Sequence, residues 1–91
     1  MDIDVLLTFL KVDLGINGEV YNANLIADIE AAQEAIAEEG IELVDDAALD
    51  MDLVRMYAGW LWRKRRTGEG MPRMLRYMLN NHLMSQKGKV Y

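Results

Sequence analysis

Apolar residues recur at helical spacing in four segments of this 91-residue chain, and breaks rich in glycine separate them. Side chains at positions i, i+3, i+4 and i+7 share one face of a helix, so each segment predicts an amphipathic helix. Residues 86–91 lack the pattern and are predicted to form a mobile tail. We therefore predict an all-α single domain over residues 1–91, a bundle of four helices at residues 3–12, 21–39, 47–66 and 72–85.

The apolar stripes also predict which side chains form the core. The third helix has apolar residues on two faces, which is typical of a central helix packed on both sides. Leu49 is expected to begin one of its stripes, Trp62 to extend it, and Gly59 to let another backbone approach closely. The predicted core residues are Leu25, Ile29, Ile36, Leu53, Met56, Trp60, Leu75, Met78 and Leu79.

Residues beside the predicted helices fit known preferences for helix ends. Asp2 is expected to cap the first helix, and Asp45 or Asp46 is expected to cap the third. Pro72 fits the first position of the fourth helix, where a backbone N–H is not needed.

Charge divides the chain into two halves. Residues 1–52 contain fourteen acids and one base, Lys11, whereas residues 53–91 contain nine bases and one acid, Glu69. The net charge of −5 thus combines an acidic part of −13 with a basic part of +8. Such asymmetry indicates either an interaction surface or two halves that neutralise each other within one monomer.

The second helix carries an acidic face. Glu30, Glu34 and Glu38 recur at steps of four, opposite the core stripe, and no base on this helix relieves their repulsion. The face is either a solvated surface or one that meets a basic partner or lines a channel.

The basic residues fall into two groups with different explanations. The run Arg63, Lys64, Arg65 and Arg66 ends the third helix, where the helix dipole favours cations. Arg73 and Arg76 lie in the first turns of the fourth helix, where the dipole disfavours cations. We therefore expect these two side chains to pair with carboxylates or phosphates.

The sequence offers little for catalysis or metal binding. It has no cysteine, and its single histidine, His82, lies on an apolar stripe with no acid or nucleophile spaced to form a dyad. We expect a packed histidine. The acids of residues 45–52 lack the glycine and the terminal glutamate of a calcium loop. We expect no metal site, no cofactor, no small-molecule substrate and no enzymatic activity.

Nothing in the sequence indicates a membrane segment or a secretory signal. No apolar run approaches the roughly 20 residues of a membrane span. The start, Met-Asp-Ile-Asp, lacks the basic residues of a signal peptide. We predict a cytosolic, unprocessed protein.

A nucleic-acid-binding function is the alternative that the basic region raises. Residues 63–76 with the neighbouring tryptophans resemble a basic patch with aromatics, and two helices joined by a short turn superficially resemble a helix-turn-helix. The acidic half would repel the same polyanion, and Trp60 falls on the core stripe. A small helical nucleic-acid-binding or regulatory protein therefore stands as the second interpretation.

Four segments in this order resemble the small head–tail connector (adaptor) proteins of long-tailed phages and prophages. They span nearly the whole chain. They are residues 10–13 (Leu-Lys-Val-Asp), residues 25–32 (Leu-Ile-Ala-Asp-Ile-Glu-Ala-Ala) followed by Ile36 and Gly40-Ile41, residues 56–61 (Met-Tyr-Ala-Gly-Trp-Leu), and residues 71–77 (Met-Pro-Arg-Met-Leu-Arg-Tyr) with Asn80 and Asn81.

The resemblance implies a structural protein of the virion neck, assembled in the host cytoplasm. Such proteins are small helical bundles that form a ring, dodecameric in the virion, beneath the portal protein after DNA packaging. The ring carries head-completion (stopper) or tail proteins, and double-stranded DNA passes through its lumen. On this basis we expect the acidic residues Glu30, Glu34 and Glu38 to meet the basic residues near Arg63–Arg66, Arg73 and Arg76 of a neighbouring subunit or of the portal.

Overall fold

The computed structural model describes residues 1–45 and 47–88 and contains four helices in this part of the chain. They are α1 (Ile3–Leu14), α2 (Asn22–Glu38), α3 (Ala48–Thr67) and α4 (Arg73–Gly88). The predicted all-α bundle of four helices is confirmed, with most helix ends within two residues of their predicted positions. The exception is α4, which includes residues 86–88 of the predicted tail. Residues 89–91 of that tail lie outside the described residues.

The two ends of α1 follow the capping rules. The side chain of Asp2 accepts hydrogen bonds from the backbone N–H groups of Asp4 and Val5, as predicted. Gly15 ends the helix in the left-handed conformation, with φ of 67°, which glycine adopts without the strain that a Cβ atom would cause.

The prediction that Asp45 caps α3 is wrong. The helix begins after Ala47, no side chain of the described residues caps it there, and Asp45 instead binds the amino terminus of Met1 at 3.1 Å. Asp46, the other candidate, lies outside the described residues. A carboxylate one turn further on compensates in part, because Asp50 accepts a hydrogen bond of 2.7 Å from the backbone N–H of Val44 and ties the preceding connector to the helix.

The central position predicted for the third helix is observed, since α3 packs against each of the other three helices and most extensively against α2. Of the nine predicted core residues, seven are buried, and Met56 and Met78 are partly buried against them. Trp62 is buried too and packs edge-on against Tyr21, with ring centroids 5.2 Å apart.

Two predictions about α3 are wrong. Leu49 is 67% exposed, because it lies in the first turn of the helix, at the rim of a groove. Gly59 is buried, but its neighbours are side chains: a Cβ atom there would lie 3.4 Å from an Arg63 nitrogen and 3.6 Å from Leu10 Cδ1. Gly59 therefore does not bring a second backbone close.

Candidate functional site

The acidic face of α2 is present on the folded surface. Glu30, Glu34 and Glu38 are all exposed. Among the ion pairs of the described residues, none involves these three carboxylates. The small side chains of Ala27 and Ala31 are exposed on the same side of the helix, so a partner can approach closely. The face is thus a continuous row of negative charge without a counterion in the described part of the chain.

Two of the six candidate basic residues are used inside the chain. Arg65 binds the buried carboxylate of Asp28 through two hydrogen bonds of 2.5 and 2.6 Å, and this hydrogen bonding raises the pKa of Arg65. Arg76 binds Glu39 at 2.7 Å. Both contacts join the basic half of the sequence to the acidic α2 region, so the two halves do neutralise each other in part.

The other four basic residues form a basic surface at the end of α3 and the start of α4. All four are exposed. Arg63 makes only a long contact of 3.7 Å with Glu69, and no ion pair among the described residues involves the other three. The basic surface consists of Arg63, Lys64, Arg66 and Arg73.

Aromatic rings support two of these cations. The ammonium group of Lys64 lies 4.9 Å from the ring centre of Trp60, and the guanidinium group of Arg66 lies 4.2 Å from that of Trp62. The indole rings are only 7% and 8% exposed, and Trp60 Nε1 donates a hydrogen bond to the carbonyl oxygen of Glu69. The rings therefore hold the cations in place and offer no free face for stacking on nucleic-acid bases.

A histidine–aspartate pair joins α4 to α3, which corrects the expectation that no acid would lie within reach of His82. Its Nε2 atom lies 3.0 Å from Asp50 Oδ1, and its Nδ1 atom lies 3.1 Å from the carbonyl oxygen of Met78. Helical spacing could not predict this pair, because 32 residues separate the two side chains. The expected packing of His82 is observed, since its side chain is only 16% exposed.

The pair lies at a groove of about 620 Å³ between the start of α3 and the end of α4. Both ring nitrogens of His82 face acceptor oxygens, so neither has a free lone pair directed into the groove. A general base needs such a lone pair within reach of the proton that it removes. The geometry therefore gives His82 the role of fastening α4.

The described residues contain neither a cluster of metal-ligand side chains nor a membrane-spanning helix. No three histidine or acidic side chains gather there in a way that could hold a metal ion. None of the four helices combines the length and the apolar character that crossing a bilayer requires.

Comparisons of the chain with protein families, with curated proteins and with solved structures gave no match. The resemblance to the head–tail connector proteins thus rests on the four sequence segments alone.

One buried acid was missed although the sequence contained a signal for it. Asp28 lies on the same face of α2 as Leu25 and Ala32, at positions i+3 and i−4 relative to them, and is 2% exposed. A carboxylate within an apolar stripe requires a partner, because an unpaired buried charge is costly. The pattern could therefore have predicted that one base of the later helices would bind Asp28.

Proposed function

We propose that this chain is a structural adaptor of a phage head–tail connector. Copies of it assemble as a ring beneath the portal protein after DNA packaging and link the capsid to head-completion or tail proteins, with double-stranded DNA passing through the lumen. The observation that carries the proposal is the coexistence, on one small folded chain, of an acidic face without counterions among the described residues and a basic surface in which only Arg63 has one, at 3.7 Å. The resemblance of the four segments supplies the class of assembly.

A ring of identical subunits needs two different contact surfaces on each copy, because every subunit meets its two neighbours through different faces. The acidic face of α2 and the basic surface at the α3–α4 junction provide such a pair. Opposite charges on two faces also set the direction and the register of the contact. In this assignment Glu34 and Glu38 lie against Arg63 or Arg66 of the next copy, or against basic residues of the portal.

A rival arrangement within the same function assigns the acidic face to the lumen. There the carboxylates would repel the phosphates of passing DNA and keep it from adhering. Salt and charge reversal should weaken assembly if the acidic face pairs with the basic surface, and should leave assembly unchanged if the acidic face lines the lumen.

The test is the double charge reversal Glu34→Lys/Glu38→Lys. We expect the wild-type assembly, measured by native mass spectrometry and sedimentation, to weaken with rising salt, and the variant to lose assembly at all salt concentrations. The matched control is Glu19→Lys/Glu42→Lys, which changes the net charge equally at two exposed acids outside the acidic face. A ring that still forms with unchanged salt dependence contradicts the pairing and leaves the lumen arrangement.

The adaptor function itself is tested first on the neighbouring reading frames, where we expect a portal gene, and then with the portal protein that such a gene encodes. We expect the chain to bind portal rings and to appear as an added ring in electron micrographs. Absence of both portal binding and self-assembly would reject the proposal. Tight binding of random duplex DNA by the isolated chain, with a steep salt dependence, would instead favour the nucleic-acid-binding alternative.

A further inference from the structure

The helix α1 has a second apolar face that the fold leaves uncovered. Leu6 and Leu10 are fully buried, whereas Val5, Phe9 and Val12, at positions i, i+4 and i+7, are 36%, 45% and 74% exposed. The guanidinium group of Arg55 covers part of the Phe9 ring at 5.3 Å. A row of three exposed apolar side chains on one helix face differs from the single exposed residues that are normal on protein surfaces.

The helix α4 has a similar face, which the exposed polar residue Asn81 interrupts between Tyr77 and Met84. Leu75 and Leu79 are buried against α3, whereas Met74, Tyr77 and Met84 are 62%, 64% and 72% exposed. These three residues cover about 15 Å of helix, and the face on α1 covers about 10 Å, at 1.5 Å per residue. Because both faces are exposed in the same folded chain, they do not cover each other.

We infer that the outer apolar face of α1 in one copy docks on the outer apolar face of α4 in the next copy, with the two helices parallel. The inference rests on the proposed function, which requires a contact between two different faces of identical chains. It adds an apolar contact beside the charged one, and burial of such side chains drives most protein association.

Charge at the starts of the two helices is complementary between two copies of this chain, and it favours the parallel direction. The exposed acids Asp2 and Asp4 lie at the start of α1. Arg73, which is exposed and makes no ion pair among the described residues, lies at the start of α4. Parallel packing brings these opposite charges to the same end of the contact.

Two variants that each damage one face test the inference. Val12→Glu places a charge on the face of α1, and Tyr77→Glu places one on the face of α4. We expect each variant alone to be monomeric, and a mixture of the two to form a one-to-one dimer, because each retains the face that the other lacks. Val20→Glu is the matched control, since Val20 is 87% exposed and lies outside both faces, and should assemble like the wild-type chain.

Covalent trapping tests the direction of the contact. The chain has no cysteine, so the double variant Val12→Cys/Met84→Cys carries only the two introduced thiols. Oxidation should give a ladder of covalent oligomers, whereas either single variant should give none. A ladder formed only by Val12→Cys/Met74→Cys would overturn the parallel arrangement, and efficient dimers of the Val12→Cys variant alone would overturn the pairing of different faces.

The remaining outcomes separate this inference from the proposed function. Assembly that survives both Val12→Glu and Tyr77→Glu overturns the inference and leaves the ring in place. A wild-type chain that stays monomeric at every soluble concentration also overturns it, and portal binding then decides the proposed function. If the wild-type chain is monomeric and Val12→Glu or Tyr77→Glu abolishes its binding to the portal, the altered apolar face binds the portal and not a second copy.

Discussion

Arg65 on α3 binds both carboxylate oxygens of Asp28 on α2, and the carboxylate is almost completely buried. The pair lies within the most extensive helix–helix interface of the chain and joins its acidic half to its basic half. The hydrogen bonds from Arg65 to Asp28 also raise the pKa of the guanidinium group, which is charged at all ordinary pH values. Part of the charge asymmetry in the sequence is therefore neutralised inside the monomer, and the acidic face and the basic surface hold charge that is not.

Replacing Arg65 should destabilise the fold, because the buried carboxylate of Asp28 then lacks its partner. We expect Arg65→Met to lower the free energy of unfolding by about 2–3 kcal/mol, less than the 3–5 kcal/mol for a fully buried pair, because Arg65 is half exposed. The double variant Asp28→Leu/Arg65→Met should recover most of this loss, since no unpaired charge remains. Urea denaturation followed by circular dichroism measures both effects.

Arg73→Met is the control for this experiment, because Arg73 makes no ion pair among the described residues. Its effect should stay within about 0.5 kcal/mol. If Arg65→Met were as stable as the wild-type chain, the pair would contribute nothing and Asp28 would have to find another partner.

The contact between His82 and Asp50 should hold the end of α4 in place. In a His82→Ala variant the Oδ1 atom of Asp50 loses its partner, while Oδ2 keeps the bond from Val44. We expect a loss of about 1–3 kcal/mol, the cost of an unsatisfied buried polar group. Hydrogen exchange should quicken in α4 more than in α2, because α4 packs mainly against α3.

Asn81→Ala provides the comparison for His82→Ala, since Asn81 is the neighbouring residue on α4 and its side chain is exposed. It should leave the exchange rates of α4 unchanged. Equal acceleration in both variants would mean that helix propensity or general loosening, and not the bond to Asp50, controls this helix.

The fold could be predicted because its determinants are local. Apolar spacing within each helix predicted most of the buried residues of α2 and α3. Gly15 and Gly68 end α1 and α3, because each helix ends in the left-handed conformation that glycine adopts without strain. Leu49 was misplaced for a physical reason: periodicity identifies a face of a helix but not how far along that face the neighbouring helices extend. Leu49 lies at the rim of the groove beside α4, whereas its neighbour Asp50 in the same turn is buried.

The contacts between helices could not be predicted, because they depend on how the helices pack. Asp28 and Arg65 are 37 residues apart, and Asp50 and His82 are 32 apart. The spacing of apolar residues assigns each side chain to a helix face, but it does not predict which residue of another helix packs against that face. Asp45 shows the same limit, since its position before α3 favoured a cap while the folded chain brought the amino terminus to it.

Gly59 offers room for a stabilising substitution. An added Cβ atom would be in ordinary contact with Leu10 and close only to the flexible end of Arg63, which can move. Alanine is a better helix former than glycine by about 1 kcal/mol, so we expect Gly59→Ala to raise the free energy of unfolding by about 0.5–1 kcal/mol.

Gly68→Ala is the opposite control for Gly59→Ala. No atom lies within 4 Å of an added Cβ at Gly68, but its φ of 71° is the left-handed conformation. We expect a loss of about 1 kcal/mol from backbone strain alone. Thermal unfolding of the two variants in parallel measures the gain in stability for Gly59→Ala and the loss for Gly68→Ala. Destabilisation by Gly59→Ala would contradict the prediction and show that the side chains around Gly59 cannot move by a few tenths of an ångström.

Tyr57 should make the stability depend on pH in the alkaline range. The side chain packs edge-on against Trp60, and burial, followed by the charge of Glu39, raises the pKa of its phenol above the ordinary value of 10.0. The folded chain thus holds the phenol proton more tightly than the unfolded chain does. This contribution is fully present below the unfolded-state pKa and is lost as pH rises through the folded-state pKa.

The variant Tyr57→Phe should isolate this effect, because it keeps the ring and removes the titrating group. We expect its free energy of unfolding to match the wild-type value at neutral pH within about 0.5 kcal/mol, and to fall less steeply above about pH 10. Urea denaturation at a series of pH values measures the difference. Parallel curves for Tyr57→Phe and the wild-type chain would mean that the pKa of Tyr57 is the same in the folded and unfolded states, which would contradict the prediction.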